Sequence, residues 1–188
     1  MAIAVVGGSG RNVGKTALIC SLIASTPELP WTAVKITSHA YPQRGPLWEE
    51  TTPGQGTDTA RYLAAGARRA FLMTTAQAEL PIAPLVTAFR SPANLIFESN
   101  RIIDIEAPDL SIGVIGGLPS EIKPSFASFL QRADAFALAA DRHLEGLQLP
   151  RQAKLFRLAD LGRISPQMLD WLRTRLIRGT PQIEEGPI

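Results

Sequence analysis

The feature that most constrains this fold is a recurrence of short apolar runs. Seven stand out: "AIAVVG" (2–7), "TAVKIT" (32–37), "AFLMTT" (70–75), "NLIFES" (94–99), "LSIGVIG" (110–116), "AFALAA" (135–140) and "AKLFRLA" (153–159). A strand with one wet face alternates apolar and polar residues, whereas these runs are almost continuously apolar, so both faces need cover. Helix-like segments at 15–25, 58–67, 78–90 and 125–132 supply it, with Thr57 or Asp58 as the N-cap of the second. A last helix is opened by Ser165 as N-cap and Pro166 at the first helical position, and Gly179 stops it. The pattern predicts an α/β fold: an open, doubly wound, mostly parallel sheet with helices on both faces.

A length of 188 residues fits one domain, and no internal repeat or boundary divides it. With 45% hydrophobic and 19% charged residues, the chain has material for one core. The Pro/Gly-rich stretch "YPQRGPLWEETTPGQG" (41–56) reads as a long loop, a candidate lid over a site. The tail 179–188 is expected to be loose or docked on a partner. Nineteen Lys and Arg against 17 Asp and Glu give a formal charge of +2, with no cationic run to follow a nucleic-acid backbone. Cys20 is the one cysteine, so no internal disulfide can form; an intracellular protein with an inert helical thiol is expected. There is no charged leader and no apolar stretch of about 18 residues, so the expectation is a cytoplasmic protein with no membrane partner.

The chemistry concentrates in the first strand-to-helix connection, "GGSGRNVGKT". The phosphate-binding template G-x-x-x-x-G-K-[ST] asks for glycine where this chain has Ser9. A loop one residue longer, starting at Gly8, resolves the mismatch. Gly8, Gly10 and Gly14 let the backbone turn and present N–H groups to anionic oxygens through Ser9, Arg11, Asn12 and Val13. Lys15 would reach the β- and γ-phosphates, Thr16 would ligate Mg²⁺, and the helix opening through Ala17 would aim its positive end at the same group. The expected ligand is a nucleoside triphosphate with Mg²⁺, either ATP or GTP. A guanine reader of the N-K-x-D kind is missing, since Asp141 in "ALAADRH" lacks the Asn-Lys pair.

Further candidates sit at the carboxyl ends of the later strands, where open α/β sheets bind ligands. Lys35 lies in an apolar strand, which is costly unless its ammonium meets charge or water. It is assigned to the γ-phosphate or an anionic substrate, the alternative being a lysine that snorkels to the surface. His39 is either a substrate contact or a polar loop residue; one histidine cannot make a metal site, and His143 is distant in sequence. Glu98 ends an apolar run at the position suited to holding Mg²⁺ or its water. Gly116 and Gly117 follow the fifth run at the same edge, and Lys123 either contacts an anion or stays in solvent. Asp104 and Glu106 read as surface residues.

Gly8, Ser9, Val13, Gly14, Lys15 and Thr16 match the form G-[ST]-x-x-x-V-G-K-T, so the loop resembles that of dethiobiotin synthetases and cobyrinic acid amidating synthetases. Adding Lys35, His39 and then Gly56, Asp58, Thr59, Arg61, Ala65, Gly66 and Ala67 of "GTDTARYLAAGA", the chain resembles the molybdopterin-guanine dinucleotide biosynthesis protein B family over residues 3–100. The resemblance implies a P-loop NTPase fold, with Glu98 and Asp58 near the Mg²⁺ and Arg61 as a positioning cation; Asp58 also suits a plain N-cap, and Arg61 a solvated helix residue. Ser99 stands where the family has glycine. The implied function is an accessory NTPase in cofactor assembly, acting with a small-molecule or protein partner, as a homodimer. Two alternatives stay open: an ATP-dependent synthetase or small-molecule kinase, and a non-catalytic, nucleotide-regulated scaffold.

Overall fold

The computed structural model describes residues 2–39, 45–75, 94–104, 107–116, 122–141, 144 and 146–177. Eight strands form one sheet in the order β3-β4-β2-β5-β1-β6-β7-β8. They are β1 (Ile3–Gly8), β2 (Trp31–Thr37), β3 (Leu47–Glu50), β4 (Arg69–Thr74), β5 (Asn94–Glu98), β6 (Leu110–Ile115), β7 (Ala135–Ala139) and β8 (Lys154–Leu158). Every pairing is parallel except β3 on β4. The helices are α1 (Lys15–Ser25), α2 (Asp58–Ala64), α3 (Ala127–Arg132) and α4 (Pro166–Leu176), with short 3-10 turns at Ile102–Asp104 and Pro124–Phe126.

Alternate residues of the central strands feed two cores. Ala4 and Val6 of β1 join Ile96 and Ile112 against α1, α2 and α4, through Leu18, Leu22, Tyr62, Met168 and Leu172. Ile3 and Val5 face the other way, where Leu95, Phe97 and Phe136 meet Phe126 and Phe129 at the start of α3. Helices therefore cover both faces, as continuous apolarity in the central strands requires. Burying side chains of this size on both faces contributes about 1.5–3 kcal/mol for each large apolar residue. The end of α1 is tied to β2 by Thr26, whose hydroxyl donates to the Leu22 carbonyl at 2.8 Å and accepts from Trp31 Nε1 at 2.9 Å.

The N-caps follow the sequence. Thr57 accepts from the Ala60 N–H at 3.1 Å and Ser165 from the Met168 N–H at 3.2 Å. Cys20 on α1 is half-buried, and burial raises its thiol pKa, as suits an inert side chain. Asp104 is exposed and pairs with Arg132 on α3.

One expectation needs correction. Within the stretch read as a loop and lid, Leu47–Glu50 is an edge strand, antiparallel to β4 with Leu47 opposite Met73 and Glu50 opposite Ala70. Glu49 and Arg69 reinforce it across the pair at 2.7 and 2.9 Å. Sheet pairing thus carries this segment along the edge of the sheet rather than over its carboxyl end. The helix expected at 78–90, the tail 179–188, Glu106, Gly117 and His143 lie outside the described residues. Among the described residues no helix is long and apolar enough to cross a membrane.

Candidate functional site

At the carboxyl ends of β1, β2 and β5, two differently built regions face one cleft of about 820 Å³. The first is the connection from β1 to α1. Gly8 ends β1 opposite Val114 of β6, and the Asn100 side chain clamps it, accepting from the Gly8 N–H at 2.7 Å and donating to its carbonyl at 3.0 Å. Ser9 is fully buried. Its N–H donates to the Val114 carbonyl at 2.9 Å, while its hydroxyl donates to the Gly116 carbonyl at 2.8 Å and accepts from the Gly116 N–H at 2.9 Å. The residue that breaks the shorter template is therefore a fastener, pinning the loop to the end of β6.

Beyond Ser9 the chain turns through two left-handed positions, Asn12 (φ 55°) and Gly14 (φ 97°). The left-handed φ at Gly14 calls for glycine, and a Cβ there would also press on the Leu161 side chain at 2.4 Å. The first intrahelical bond runs from the Leu18 N–H to the Gly14 carbonyl at 2.9 Å. The N–H groups of Lys15, Thr16 and Ala17 thus open α1 without intrahelical acceptors, at the positive end of its dipole. Lys15 folds back over the loop, donating from Nζ to the Gly10 carbonyl at 3.0 Å. Burial lowers its pKa, and the neighbouring Glu98 carboxylate only partly offsets this.

The second region is a cluster of side chains from four elements. Lys35 and Glu98 are register neighbours on β2 and β5. Lys35 Nζ donates to Asp58 at the start of α2 and to Glu98 Oε1 at 3.2 Å. The other Glu98 oxygen accepts from Thr16 Oγ1 at 2.8 Å and from the Tyr62 hydroxyl. Glu98 is 5% exposed and Tyr62 not at all, so this carboxylate is held by donors on both oxygens. Burial and then Glu98 raise the Tyr62 pKa well above its ordinary 10.0, so the phenol stays a donor. Burial alone would lower the Lys35 pKa; Glu98 and Asp58 outweigh it and raise it. Burial alone would raise the Asp58 pKa; the bond and charge of Lys35, with Thr16 and Arg61, together outweigh it and lower the value. Arg61 on α2 approaches Asp58 at 3.8 Å.

The cleft brings together Gly8, Gly10 through Ala17, Lys35, His39, Asp58, Arg61 and Glu98. Gly116 is not among them. It packs on Val13, to which a Cβ would approach within 2.9 Å, and lines a neighbouring cleft of about 640 Å³ on the far side of the loop. Lys123 reaches both clefts, and its N–H donates to the Ser9 carbonyl at 2.8 Å. Among the residues that enter the site and that sequence reasoning passed over are Tyr62, Asn100 and Arg101. Tyr62 reads as an ordinary core aromatic on a helix, and Asn100 and Arg101 as loop residues after an apolar run. Only the clustering of polar residues directly after Glu98 hinted at the last two.

Among the described residues, no three His, Cys, Asp or Glu side chains gather to hold a metal by themselves. Thr16, Asp58 and Glu98 are nonetheless hard oxygen donors of the kind Mg²⁺ takes when one or two carboxylates are completed by ligand phosphates and water. Compared with protein-family models, with curated proteins and with solved structures, the chain finds no match.

Proposed function

We propose that this chain binds a nucleoside triphosphate with Mg²⁺ at the Gly8–Thr16 loop and works as an accessory NTPase in cofactor biosynthesis. One observation carries the reading: Lys15, Thr16, Lys35, Asp58 and Glu98 converge on one cleft at the opening of α1. The loop N–H groups and Lys15 suit the β- and γ-phosphate oxygens, and Lys35 suits the γ side. Thr16, with Glu98 or Asp58, would hold the metal, which when bound would supply charge neutralisation at the phosphates. The resemblance carried by Lys35, His39 and the Gly56–Ala67 block supports a role in assembling a molybdenum pterin nucleotide.

Within the cluster neither Tyr62, which stays protonated, nor Lys35, which is held charged by two carboxylates, can serve as a general base. Catalysis would then rest on orientation and charge neutralisation, which suits slow turnover. The test is a thermal-shift titration with ATP and GTP, with and without Mg²⁺, on the wild type and Lys15→Ala. Ligand at a hundredfold its Kd should stabilise the wild type by about 2.7 kcal/mol and leave Lys15→Ala unmoved. If neither nucleotide shifts the wild type, the reading falls.

A second reading has an observation of its own. The cleft runs past the loop to His39, Arg61 and Arg101, leaving room beside the phosphates for another molecule. That favours a synthetase or small-molecule kinase, in which turnover would appear only when the acceptor is added.

A further inference from the structure

Lys35 carries its charge into a place that oxygen ligands already border. Its strand, β2, lies inside the sheet between β4 and β5, and its register neighbour on β5 is Glu98. Its Nζ donates to Asp58 Oδ2 on α2 and to Glu98 Oε1 at 3.2 Å, so one ammonium spans two carboxylates from separate elements. The other Glu98 oxygen accepts from Thr16 Oγ1 at 2.8 Å and from the Tyr62 hydroxyl. The neighbouring cations Arg61 and Lys15 do not share this span. Arg61 stands 3.8 Å from the other Asp58 oxygen, and Lys15 Nζ is turned to the Gly10 carbonyl.

The two carboxylates and Thr16 are the donors that suit Mg²⁺ in this cleft. A dication and an ammonium repel each other across the same oxygens, so a metal there has to displace Lys35. Glu98 cannot give way, being 5% exposed and part of a central strand. Lys35 can, because its side chain is 22% exposed and a lysine stem is flexible. An ammonium drawn off two carboxylates is costly unless another anion receives it. The cleft that Lys35 lines is also lined by Gly10 through Thr16, so a phosphate seated on the loop would supply that anion.

We propose that Lys35 is a resident cation that occupies the metal position until a phosphate group draws it away, so that metal and phosphate enter together and metal alone is refused. This deepens the nucleotide reading above and rests on its choice of Thr16, Asp58 and Glu98 as metal ligands. Coupling of this kind between two ligands is reciprocal and commonly about 5–150-fold.

The probe is Mn²⁺, which takes the same hard oxygen ligands as Mg²⁺ and whose bound fraction is read by electron paramagnetic resonance. Without nucleotide, Lys35→Met should take up Mn²⁺ at least about tenfold more tightly than the wild type, and Lys35→Met/Asp58→Asn should lose that gain. With metal chelated, Lys35→Met should weaken ATP and GTP binding at least about fivefold. Opposite signs from one substitution are not expected of an ion pair that only holds the fold together. Circular dichroism and urea midpoints check the fold of each variant. Lys35→Gln, which removes the charge and keeps a donor for one carboxylate, takes the place of Lys35→Met where that chain does not fold.

Mn²⁺ uptake equal in the wild type and Lys35→Met would overturn the inference, whatever the nucleotides do, and so would a folded Lys35→Met that takes up none. Nucleotide binding unchanged in Lys35→Met would overturn the release by phosphate. Mn²⁺ uptake gained in Lys35→Met and lost again with Asp58, in a chain that binds neither nucleotide, would uphold the refusal of metal by Lys35 and overturn the nucleotide reading alone.

Discussion

The two regions facing the cleft are held by opposite means. The Gly8–Thr16 loop is fixed by main-chain contacts and by two small polar side chains, Ser9 and Asn100, that bond to backbone within it and around it. The cluster opposite is fixed by charge: one ammonium, Lys35, bridges two carboxylates from different elements, and one of these also receives two hydroxyls. The loop can take a ligand without changing its internal bonds, apart from releasing Lys15 from the Gly10 carbonyl. The cluster cannot, because anything that binds Asp58 or Glu98 competes with Lys35. Preorganisation on one side therefore meets a self-neutralised set on the other, and the two sides should fail differently.

The harshest way to break the contrast is to remove the residue on which the cluster converges. Glu98→Ala strips the acceptor from Tyr62, which is fully buried, and from Thr16, and one of the two anions from Lys35. The expected loss is about 3 kcal/mol, read as a lower urea midpoint with unchanged slope. Lys35 still has Asp58, which keeps the loss below that of a fully orphaned buried charge. A change under about 0.5 kcal/mol would mean that these bonds do not hold the cluster together.

The same change in the loop half should cost less and act on ligand binding more. Ser9→Ala removes both bonds between the Ser9 hydroxyl and Gly116, about 2 kcal/mol together. Its further consequence is a looser loop, so nucleotide-induced stabilisation should fall along with the midpoint. Stabilisation by nucleotide that survives intact would show that the fastener serves the fold alone.

These two residues also mark how far the sequence could be read. The loop lies within one short stretch, so its glycines, Lys15 and Thr16 announce themselves by spacing. The twofold bond of Ser9 to a residue 107 positions away does not. Lys35 and Glu98 were legible because a charge inside or at the end of an apolar run demands an explanation. Tyr62 was not, because an aromatic on a buried helix face looks the same whether or not its hydroxyl has a carboxylate to reach. Strand β3 was hidden for a related reason. Four residues between prolines, with Leu47 and Trp48 exposed, carry no period of their own, and only the neighbouring β4 makes them a strand. The sheet of parallel strands followed from runs of apolar residues, a local property; its antiparallel edge followed from pairing, which is not.

Tyr62→Phe sharpens the comparison because it deletes one bond of the cluster and keeps the ring in the core. The expected cost is about 1 kcal/mol in urea unfolding. Glu98 would then be held by Thr16 and Lys35 alone, so the Mg²⁺ dependence of nucleotide stabilisation should weaken while metal-free binding by the loop stays as it was. Equal weakening with and without Mg²⁺ would place Tyr62 in the core only.

The smallest effect expected is in acid, and its sign separates charge from packing. The pairing with Lys35 lowers the Asp58 pKa from the ordinary 3.8. Above that value Asp58 is ionised in both folded and unfolded chains, and the pair contributes in full. As pH falls through 3.8 the unfolded chain takes up the proton first, stability declines, and the decline ends once pH passes below the folded value. Lys35, whose pKa is raised above 10.5, stays charged throughout this window and affects only the alkaline limb. Asp58→Asn should therefore flatten the acid limb below pH 3.8 by less than about 1 kcal/mol, since the carboxylate is partly exposed, and leave the slope around neutral pH near that of the wild type. Urea midpoints measured from neutral pH downward give the slope directly. An acid limb equally steep in the variant would assign that sensitivity to other carboxylates, and the Lys35–Asp58 pair would then be a contact without a share in stability.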